Sequence, residues 1–357
     1  YDRGFSEFHD YIDASKTLTG AAVAGPGEQI GVPKMALDQY LVSEESVHRK
    51  ACLENEINHS IFAALERVSR PFFLWVHYMD THYPYLPQMS HQRDLRIATI
   101  SRDENFSLNT RIRENMPLSP DLLRSVQSLY DASVRQLDGK IEELLRFLRQ
   151  RGWYDSSLIV FCADHGEEFQ EHGDLQHKSK LYDELLRVPL LIKSPFAASV
   201  RRCEQLLSLI QLPPTILSFL EAENPFSERS VFRQNRLSPA EERKFIIAEA
   251  SYAANGGPPV DHRLFNIEVL PKRFAYRDQF WKLIFDSTKP ETLLHNLVND
   301  PFEKTPICDP GFAAGCLEIL EGHIRNQEKQ RLRDRIARVQ KKLLTTAAAD
   351  AKVITSF

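Results

Sequence analysis

Two polar segments, each directly following an apolar run, contain residue types that bind metals and transfer protons. Asp164 and His165 follow one run, and Asp80 and His82 follow another. Ligands of open α/β sheets bind at the carboxyl ends of the strands, so parallel neighbouring strands would bring both segments to one edge. A carboxylate beside an imidazole suits a divalent cation. The pattern favours a metal site there; the alternatives are a capping turn at Asp164 and a half-buried structural histidine at His82.

The stretch that follows Asp164 is dense in groups that can carry charge. Gly166 would let the backbone turn sharply at its start. Beyond it, four carboxylates and three bases lie close together in the chain: Glu167, Glu168, Glu171, Asp174, His172, His177 and Lys178. Such a concentration of titratable groups is more typical of a functional site than of a surface loop.

The elements that must position these residues follow from the spacing of apolar residues. Continuous apolar runs predict strands buried on both faces at 72–76, 158–163 and 188–192. Helical spacing predicts helices over 46–68, between Ser119 and Gly152, and over 203–220, with a polar linker at about 88–117. Strands and helices alternate, so we predict an α/β fold with a mostly parallel central sheet flanked by helices.

The pattern changes after about residue 225. Short β-like runs predict a small antiparallel sheet from 245–248, 273–276 and 281–285, and an apolar stripe predicts a terminal helix over 317–344. We therefore divide the chain into an α/β domain at 1–225, an α+β subdomain at 226–316, and a C-terminal helix and tail at 317–357.

Composition excludes several classes of function. The 357 residues include 45 Lys and Arg against 49 Asp and Glu, for a net charge of −4. A nucleic-acid-binding protein needs a dominant positive field, which this balance does not supply. The apolar runs are far shorter than the roughly 20 residues that span a bilayer. The five cysteines form no C-x-x-C pair, which argues against a zinc ribbon or a thioredoxin-like motif.

Several segments resemble the motifs of type I sulfatases. Asp80-Thr81-His82-Tyr83-Pro84-Tyr85 resembles their D-x-H-x-P-Y element. Asp164-His165-Gly166-Glu167, with Glu171-His172-Gly173, resembles their S-D-H-G-E…E-H-G element. The resemblance continues in the same order along the chain at 177–192, 211–217 and 294–304. Ordered motifs over this length make the resemblance specific.

The resemblance implies an alkaline-phosphatase-like fold and a sulfuric ester hydrolase. It assigns Asp164 and His165 to a divalent cation, usually calcium. It places His82 at the sulfate or the leaving oxygen, and it gives one role, a cation at the non-bridging oxygens of the ester, to either His177 or Lys178. The implied substrate is a small-molecule or carbohydrate sulfate ester. Displacement at sulfur does require fixed positive charge and a proton donor.

Two parts of the family pattern are absent from the sequence. Sulfatases carry a nucleophile in C-x-P-x-R or S-x-P-x-R, converted to formylglycine, and two further metal-binding aspartates near the start of the domain. Here the nearest match, 308–312, ends in Phe312, and no two aspartates are adjacent. The first residues, Tyr1-Asp2-Arg3-Gly4-Phe5, resemble a family segment downstream of the nucleophile. We therefore expect the formylglycine in a preceding portion, and we expect this chain alone to be inactive.

Two other hypotheses stay open. Relatives in the same superfamily act as phosphodiesterases or phosphonate hydrolases, or transfer phosphoethanolamine or phosphoglycerol, and the nucleophile that discriminates them is not in this sequence. A non-catalytic sulfatase-like binding protein is the third hypothesis, and the titratable residues around Asp164 weigh against it. The sequence leaves the specific ester and the cellular compartment undecided.

Overall fold

The computed structural model of the chain describes residues 7–10, 20–24, 57–114, 116–196, 202–225, 230, 232–233, 236–237, 244–251, 272–287, 289, 292–327 and 329. Parts of three sequence predictions lie outside the described residues. They are residues 46–56 of the first predicted helix, the opening segment 1–5, and residues 330–344 of the predicted terminal helix.

Strands and helices alternate through the first part of the chain, and strands dominate later. The strands are β1 Glu7–Asp10, β2 Gly20–Ala24, β3 Phe73–His77, β4 Ile159–Cys162, β5 Glu168–Phe169, β6 Leu175–Gln176, β7 Leu190–Lys193, β8 Phe232–Arg233, β9 Arg236–Leu237, β10 Ile246–Ser251, β11 Lys272–Arg277, β12 Trp281–Asp286 and β13 Thr292–Asn296. The helices are α1 at 57–67, α2 Met89–Asp94, α3 Arg102–Arg113, α4 Pro120–Gln150, α5 Asp183–Leu186, α6 Leu212–Phe219 and α7 at 310–327.

The long helix α4 begins and ends where the sequence predicts. The Ser119 hydroxyl accepts a hydrogen bond from the backbone N–H of Leu122 at 3.3 Å, and Pro120 occupies the first helical turn. Gly152, with φ of 68°, follows the helix end. Leu148 of α4 packs with Ile57 and Ile61 of α1 in a buried cluster. Side chains of β3 pack against this cluster, so the strand that leads to His82 rests on two helices.

The predicted strands β3, β4 and β7 are present, but their side chains are half-buried or exposed rather than buried on both faces, and the predicted parallel sheet is not confirmed. β1, β2 and β3 form one antiparallel sheet, and β4 pairs with β7 antiparallel. Every pairing between described strands is antiparallel. The β4–β7 connection carries only a short hairpin and the four-residue α5, whereas a parallel neighbour requires a crossover, usually a full helix.

The polar linker predicted at 88–117 is wrong in part, since α2 and α3 form within it. A capping box starts α3: the Ser101 side chain accepts from the Glu104 backbone, and the Glu104 side chain accepts from the Ser101 backbone. Leu108 and Ile112 of α3 are buried in a cluster with Tyr85. Composition alone hid these helices because few of their residues are apolar.

The predicted helix over 203–220 starts late. A 3-10 turn spans Leu209–Gln211, and α6 follows at Leu212–Phe219, with the adjacent prolines at its N-terminus. Pro213 and Pro214 explain the late start, because proline is tolerated in the first turn of a helix but not inside it. Among the helices described, none is both long enough and apolar enough to cross a membrane.

The predicted C-terminal antiparallel sheet is confirmed. Strands β10 to β13 pair in sequence order, each antiparallel to the next. Leu283 and Leu294 of this sheet form a buried cluster with Cys316 and Leu320 of α7. The helix therefore covers one face of the sheet.

A buried ion cluster joins this sheet to the segment that follows β6. Lys282 of β12 is fully buried, and its Nζ lies 2.5 Å from Asp183 Oδ1 and 2.9 Å from Glu303 Oε2. Burial alone would raise the pKa of Asp183, but hydrogen bonds and charge from Arg277 and Lys282 outweigh it and lower that pKa. Burial raises the pKa of Glu303 despite the opposing pull of Lys282. Two carboxylates from distant parts of the chain thus share one buried ammonium.

Lys282→Met tests how much this buried ion cluster contributes to stability. The substitution keeps most of the buried volume but leaves Glu303 without its cation and Asp183 with Arg277 alone, so we expect the free energy of unfolding to fall by about 3–5 kcal/mol. Arg146→Met, which breaks the exposed pair with Glu142, is the matched control and should cost less than about 1 kcal/mol. Denaturant unfolding measures both, and equal losses would contradict the assignment.

His295 makes stability depend on pH. Its side chain is 1% exposed, and burial is the main cause that lowers its pKa, although Asp300 draws it upward. The folded state therefore binds this proton less readily than the unfolded state, and stability should fall as pH drops below about 6.5 toward the folded-state pKa. His295→Gln should reduce the change of the unfolding free energy with pH between about pH 7 and about pH 5. His59→Gln, at an exposed position, should leave the slope unchanged.

Candidate active site

The loop after β3 is anchored at both ends by α4. Asp80 is buried, and its Oδ1 accepts from Gln136 Nε2 at 2.8 Å and pairs with the Lys140 ammonium. The same Gln136 side chain accepts from the backbone N–H of Gln88 at 2.9 Å. Asp80 therefore holds the loop against α4 through its Oδ1 atom. His82, two residues later, is half-buried at the loop's turn, with Nδ1 2.5 Å from the Tyr83 carbonyl oxygen.

A close backbone contact directs the loop after β4. The N–H of Gly166 donates to the Leu185 carbonyl of α5 at 2.8 Å. A Cβ at residue 166 would lie 1.9 Å from the Glu184 carbonyl oxygen, so only glycine fits this approach. The loop then forms the short hairpin of β5 and β6. The hairpin returns the chain so that His177 lies against His165.

Three of the histidines predicted from sequence come together. The rings of His165 and His177 stack with centroids 4.1 Å apart, and the rings of His82 and His177 are 5.0 Å apart. They come from the segments that follow β3, β4 and β6, the first of which is distant in the chain from the other two. A triad of imidazoles can supply both a proton and a positive charge to one bound group.

A carboxylate that the sequence analysis did not single out organises this group. Glu167 Oε1 lies 3.0 Å from His177 Nδ1, and Glu167 Oε2 accepts from the Tyr85 hydroxyl at 2.8 Å. The Glu167 side chain is only 5% exposed. The S-D-H-G-E resemblance included this residue, but nothing in its spacing indicated which side chain it would contact.

Lys178 points to a different partner. Its Nζ lies 2.7 Å from Asp174 Oδ1, while Lys180 lies 2.9 Å from Asp174 Oδ2. Burial would raise the pKa of Asp174, but hydrogen bonds and charge from both lysines outweigh it and lower that pKa. The structure therefore distinguishes two residues that are neighbours in sequence: His177 joins the histidine group, and Lys178 joins an ion pair beside it.

Asp164 and His165 are adjacent at the mouth of the site. The Asp164 side chain is 67% exposed, and its Oδ2 lies 3.8 Å from His165 Nε2. The pKa of His77, at the end of β3, is lowered by burial, raised by the charge of Asp164 and lowered by His165. Asp164 offers the oxygen ligands that calcium prefers, and His165 offers an imidazole nitrogen, which other divalent ions accept more readily. Two ligands leave most of a coordination shell to be supplied by other groups.

Among the described residues, a separate group could also hold a metal ion. Glu168, His172 and Glu184 place one ligand atom each within 4.8 Å of the others. The group is also bonded internally, since His172 Nδ1 lies 2.5 Å from Glu184 Oε1 and Lys180 Nζ lies 2.9 Å from Glu168 Oε1. It does not include the two residues predicted as metal ligands.

His172 ties the site loop to the C-terminal part of the chain. Its Nε2 lies 3.0 Å from the Glu303 carbonyl oxygen, and its ring stacks on Tyr182 at 3.5 Å. Asp300, in the same segment as Glu303, accepts from the backbone N–H groups of Lys304 and Thr305 at 3.0 and 2.8 Å. The E-H-G and D-P-x-E segments seen in sequence therefore meet in space.

Comparison with known proteins places this chain in the sulfatase family. A profile of the sulfatase family matches residues 2–222. The choline-sulfatase of Rhizobium meliloti is 26% identical over 258 residues, which cover 67% of this chain and 47% of that protein. The chain thus spans about half the length of this curated relative.

Solved structures share the fold. A phosphonate monoester hydrolase of Agrobacterium radiobacter aligns with a TM-score of 0.57 and 18% identity, over 81% of this chain and 62% of that one. A protein solved with its substrate D-glucosamine-2-N,6-O-disulfate aligns with a TM-score of 0.55 and 19% identity, over 78% and 69%. These similarities establish the alkaline-phosphatase-like fold.

Gly166→Ala tests the close approach that directs the site loop. The added methyl group collides with backbone rather than with a flexible side chain, so we expect a loss of about 1–3 kcal/mol in unfolding free energy. Gly139→Ala is the matched control, because it lies on α4 with open space around the new Cβ and should stabilise the helix by about 0.5–1 kcal/mol. Denaturant unfolding of both variants checks this, and a neutral Gly166→Ala would refute the steric requirement.

Proposed function

This chain belongs to the sulfatase family, and from that membership we propose that it forms one side of the active site of a metal-dependent sulfuric ester hydrolase. The observation that supports the proposal best is the convergence of His82, His165 and His177 from three separate strand ends. The substrate we propose is a small-molecule or carbohydrate sulfate ester.

The roles of the site residues follow from their positions. His177 supplies positive charge to the non-bridging oxygens of the ester, because its ring lies between the other two histidines while Lys178 is paired with Asp174. His82 donates the proton to the leaving oxygen. Transfer of the sulfuryl group away from the leaving oxygen requires positive charge at the non-bridging oxygens and a proton donor at the leaving oxygen, both in one site.

Asp164 and His165 would hold the divalent cation, for which calcium is our first expectation. When bound, such an ion neutralises charge on the sulfate and on the nucleophile. The ion's remaining ligands and a formylglycine nucleophile would come from a segment that precedes these residues, since the sequence contains neither the nucleophile motif nor the two further aspartates. The chain by itself should therefore bind the ion weakly.

The organisation of the chain stays a proposal in two respects. We propose that β4 belongs to a mostly parallel central sheet once its other neighbours are in place. We also propose the division into an α/β domain at 1–225, an α+β subdomain at 226–316, and a helix and tail at 317–357. The antiparallel sheet of β10 to β13, covered by α7, supports the second unit.

The activity is tested on the full gene product. We expect hydrolysis of 4-nitrophenyl sulfate, an aldehyde at one Cys or Ser in the peptide map, and loss of activity with a chelator. His177→Ala should lower kcat/KM by at least about a hundredfold. Lys178→Ala should lower it less than about tenfold, since that side chain bonds Asp174 in a partly exposed pair.

Each contrary result has a definite meaning. Hydrolysis of a phenylphosphonate monoester with an unmodified Ser or Thr nucleophile would replace sulfuryl by phosphoryl chemistry. A larger effect of Lys178→Ala than of His177→Ala would transfer the charge role to Lys178. A folded full-length protein without activity on either ester would favour the non-catalytic binding protein. His91→Ala, on α2, serves as the control for nonspecific loss.

A further inference from the structure

Glu167 is the carboxylate that contacts His177 in the group of three histidines. Its side chain is almost fully buried between the loop after β3 and the segment after β6. Each of its oxygens has one partner: Oε1 faces His177 Nδ1 at 3.0 Å, and Oε2 accepts from the Tyr85 hydroxyl at 2.8 Å. The two partners come from different loops, so the carboxylate connects them.

On this geometry we propose that Glu167, itself fixed by Tyr85, is a positioning residue that holds His177 in one tautomer and one ring orientation. The inference rests on the proposed function, because it specifies how the residue assigned to the ester is aimed. It adds two residues, Glu167 and Tyr85, to those that decide the geometry of the site.

The tautomer follows from the chemistry of the partners. A carboxylate only accepts hydrogen bonds, so the His177 nitrogen that faces it, Nδ1, must carry a hydrogen. The opposite nitrogen, Nε2, is then the one that takes up a proton when the ring becomes positively charged, and this N–H can be donated to an ester oxygen. An imidazole presents its contacts only in the ring plane, so a rotation would remove Nε2 from the ester. A carboxylate behind the ring prevents that rotation, as it does for metal-bound histidines.

Tyr85 keeps Glu167 in place and ties it to His82. Tyr85 is 1% exposed, and its ring packs edge-on against Tyr130 at 5.5 Å and near Phe169 at 6.0 Å. Burial, then the charge and hydrogen bond of Glu167, raise the pKa of Tyr85, so the hydroxyl keeps its proton and donates. Tyr85 lies three residues after His82 in one loop. The chain of contacts from Tyr85 through Glu167 to His177 therefore sets the 5.0 Å separation of the His82 and His177 rings.

The test combines a spectroscopic readout with kinetics on the full gene product. ¹⁵N NMR of the histidine rings should show His177 with hydrogen on Nδ1 in the wild type. Glu167→Ala should abolish that single-tautomer pattern, and Glu167→Gln, which keeps an accepting carbonyl oxygen, should preserve most of it. Tyr85→Phe should weaken it while leaving Glu167 present.

The kinetic effect should follow the spectroscopic one. We expect Glu167→Ala to lower kcat/KM on a sulfate ester by about 10–100-fold, mainly through kcat, with partial rescue by Glu167→Gln. Glu171→Gln is the matched control: it lies in the same hairpin and accepts from the Phe169 backbone, so it measures the effect of loosening the loop alone. It should leave the His177 signals unchanged.

The NMR result decides the proposal independently of the activity. Hydrogen on Nε2 alone in the wild type, or unchanged His177 signals in a folded Glu167→Ala protein, would overturn it. If Glu167→Ala does not fold, the Tyr85→Phe protein, in which the Nδ1–H pattern should weaken, takes its place, and unchanged His177 signals in that protein would also overturn the proposal. A wild type that shows the Nδ1–H pattern but hydrolyses no sulfate ester would refute the proposed function while leaving the positioning role supported.

Discussion

The buried ammonium of Lys282 is the constraint on which the arrangement of this chain depends. It is fully shielded from water and bonded to Asp183 and Glu303, which lie 120 residues apart in the chain. A buried charge is tolerated only when its partners are in place, so Lys282 fixes how the C-terminal sheet docks on the first residue of α5. The Asp183 N–H also donates to Glu303 at 2.7 Å, which adds a direct bond between the two parts.

Docking through Lys282 reaches the site by way of α5. Glu184 and Leu185 follow Asp183 directly, and their backbone is what Gly166 approaches. The loop from Asp164 to His177 is thus supported on one side by α5 and on the other by Tyr85. Buried residues hold the loop in place, and the exposed end of the loop carries the predicted metal ligands Asp164 and His165. This separation of supporting and reacting groups is what a preorganised site requires.

Neighbouring residues of one motif have opposite roles here. Asp80 holds its loop through Lys140 and Gln136, whereas His82 faces the other histidines. Glu168 bonds Lys180 in the interior, whereas Glu167 bonds His177 in the site. The turn after β3 directs Asp80 and His82 to different partners, and alternation along the strand sends the adjacent Glu167 and Glu168 to opposite faces. A sequence motif therefore locates the site approximately, and the backbone conformation determines which residues of the motif face it.

The prediction of elements from sequence succeeded where apolar residues were continuous or periodic. β3, β4 and β7, the helix α4 and the antiparallel sheet of β10 to β13 all follow from such patterns. It failed for α2 and α3 because they contain few apolar residues; Leu108 and Ile112 of α3 are recognised as core residues only through their packing with Tyr85 and α4. It could not give the direction of pairing either, because a buried strand has the same apolar composition in a parallel and in an antiparallel sheet.

The sequence by itself determined the family, the candidate residues His82, Asp164, His165, His177 and Lys178, and the strands that carry them, because these depend on local order along the chain. Only the tertiary structure decided that His177 rather than Lys178 joins the other histidines, and that Glu167 and Tyr85 stand behind it. The contact between Tyr85 and Glu167 alone joins residues 82 positions apart. Which of two adjacent side chains meets a distant partner depends on the packing of whole loops, and no local pattern encodes it.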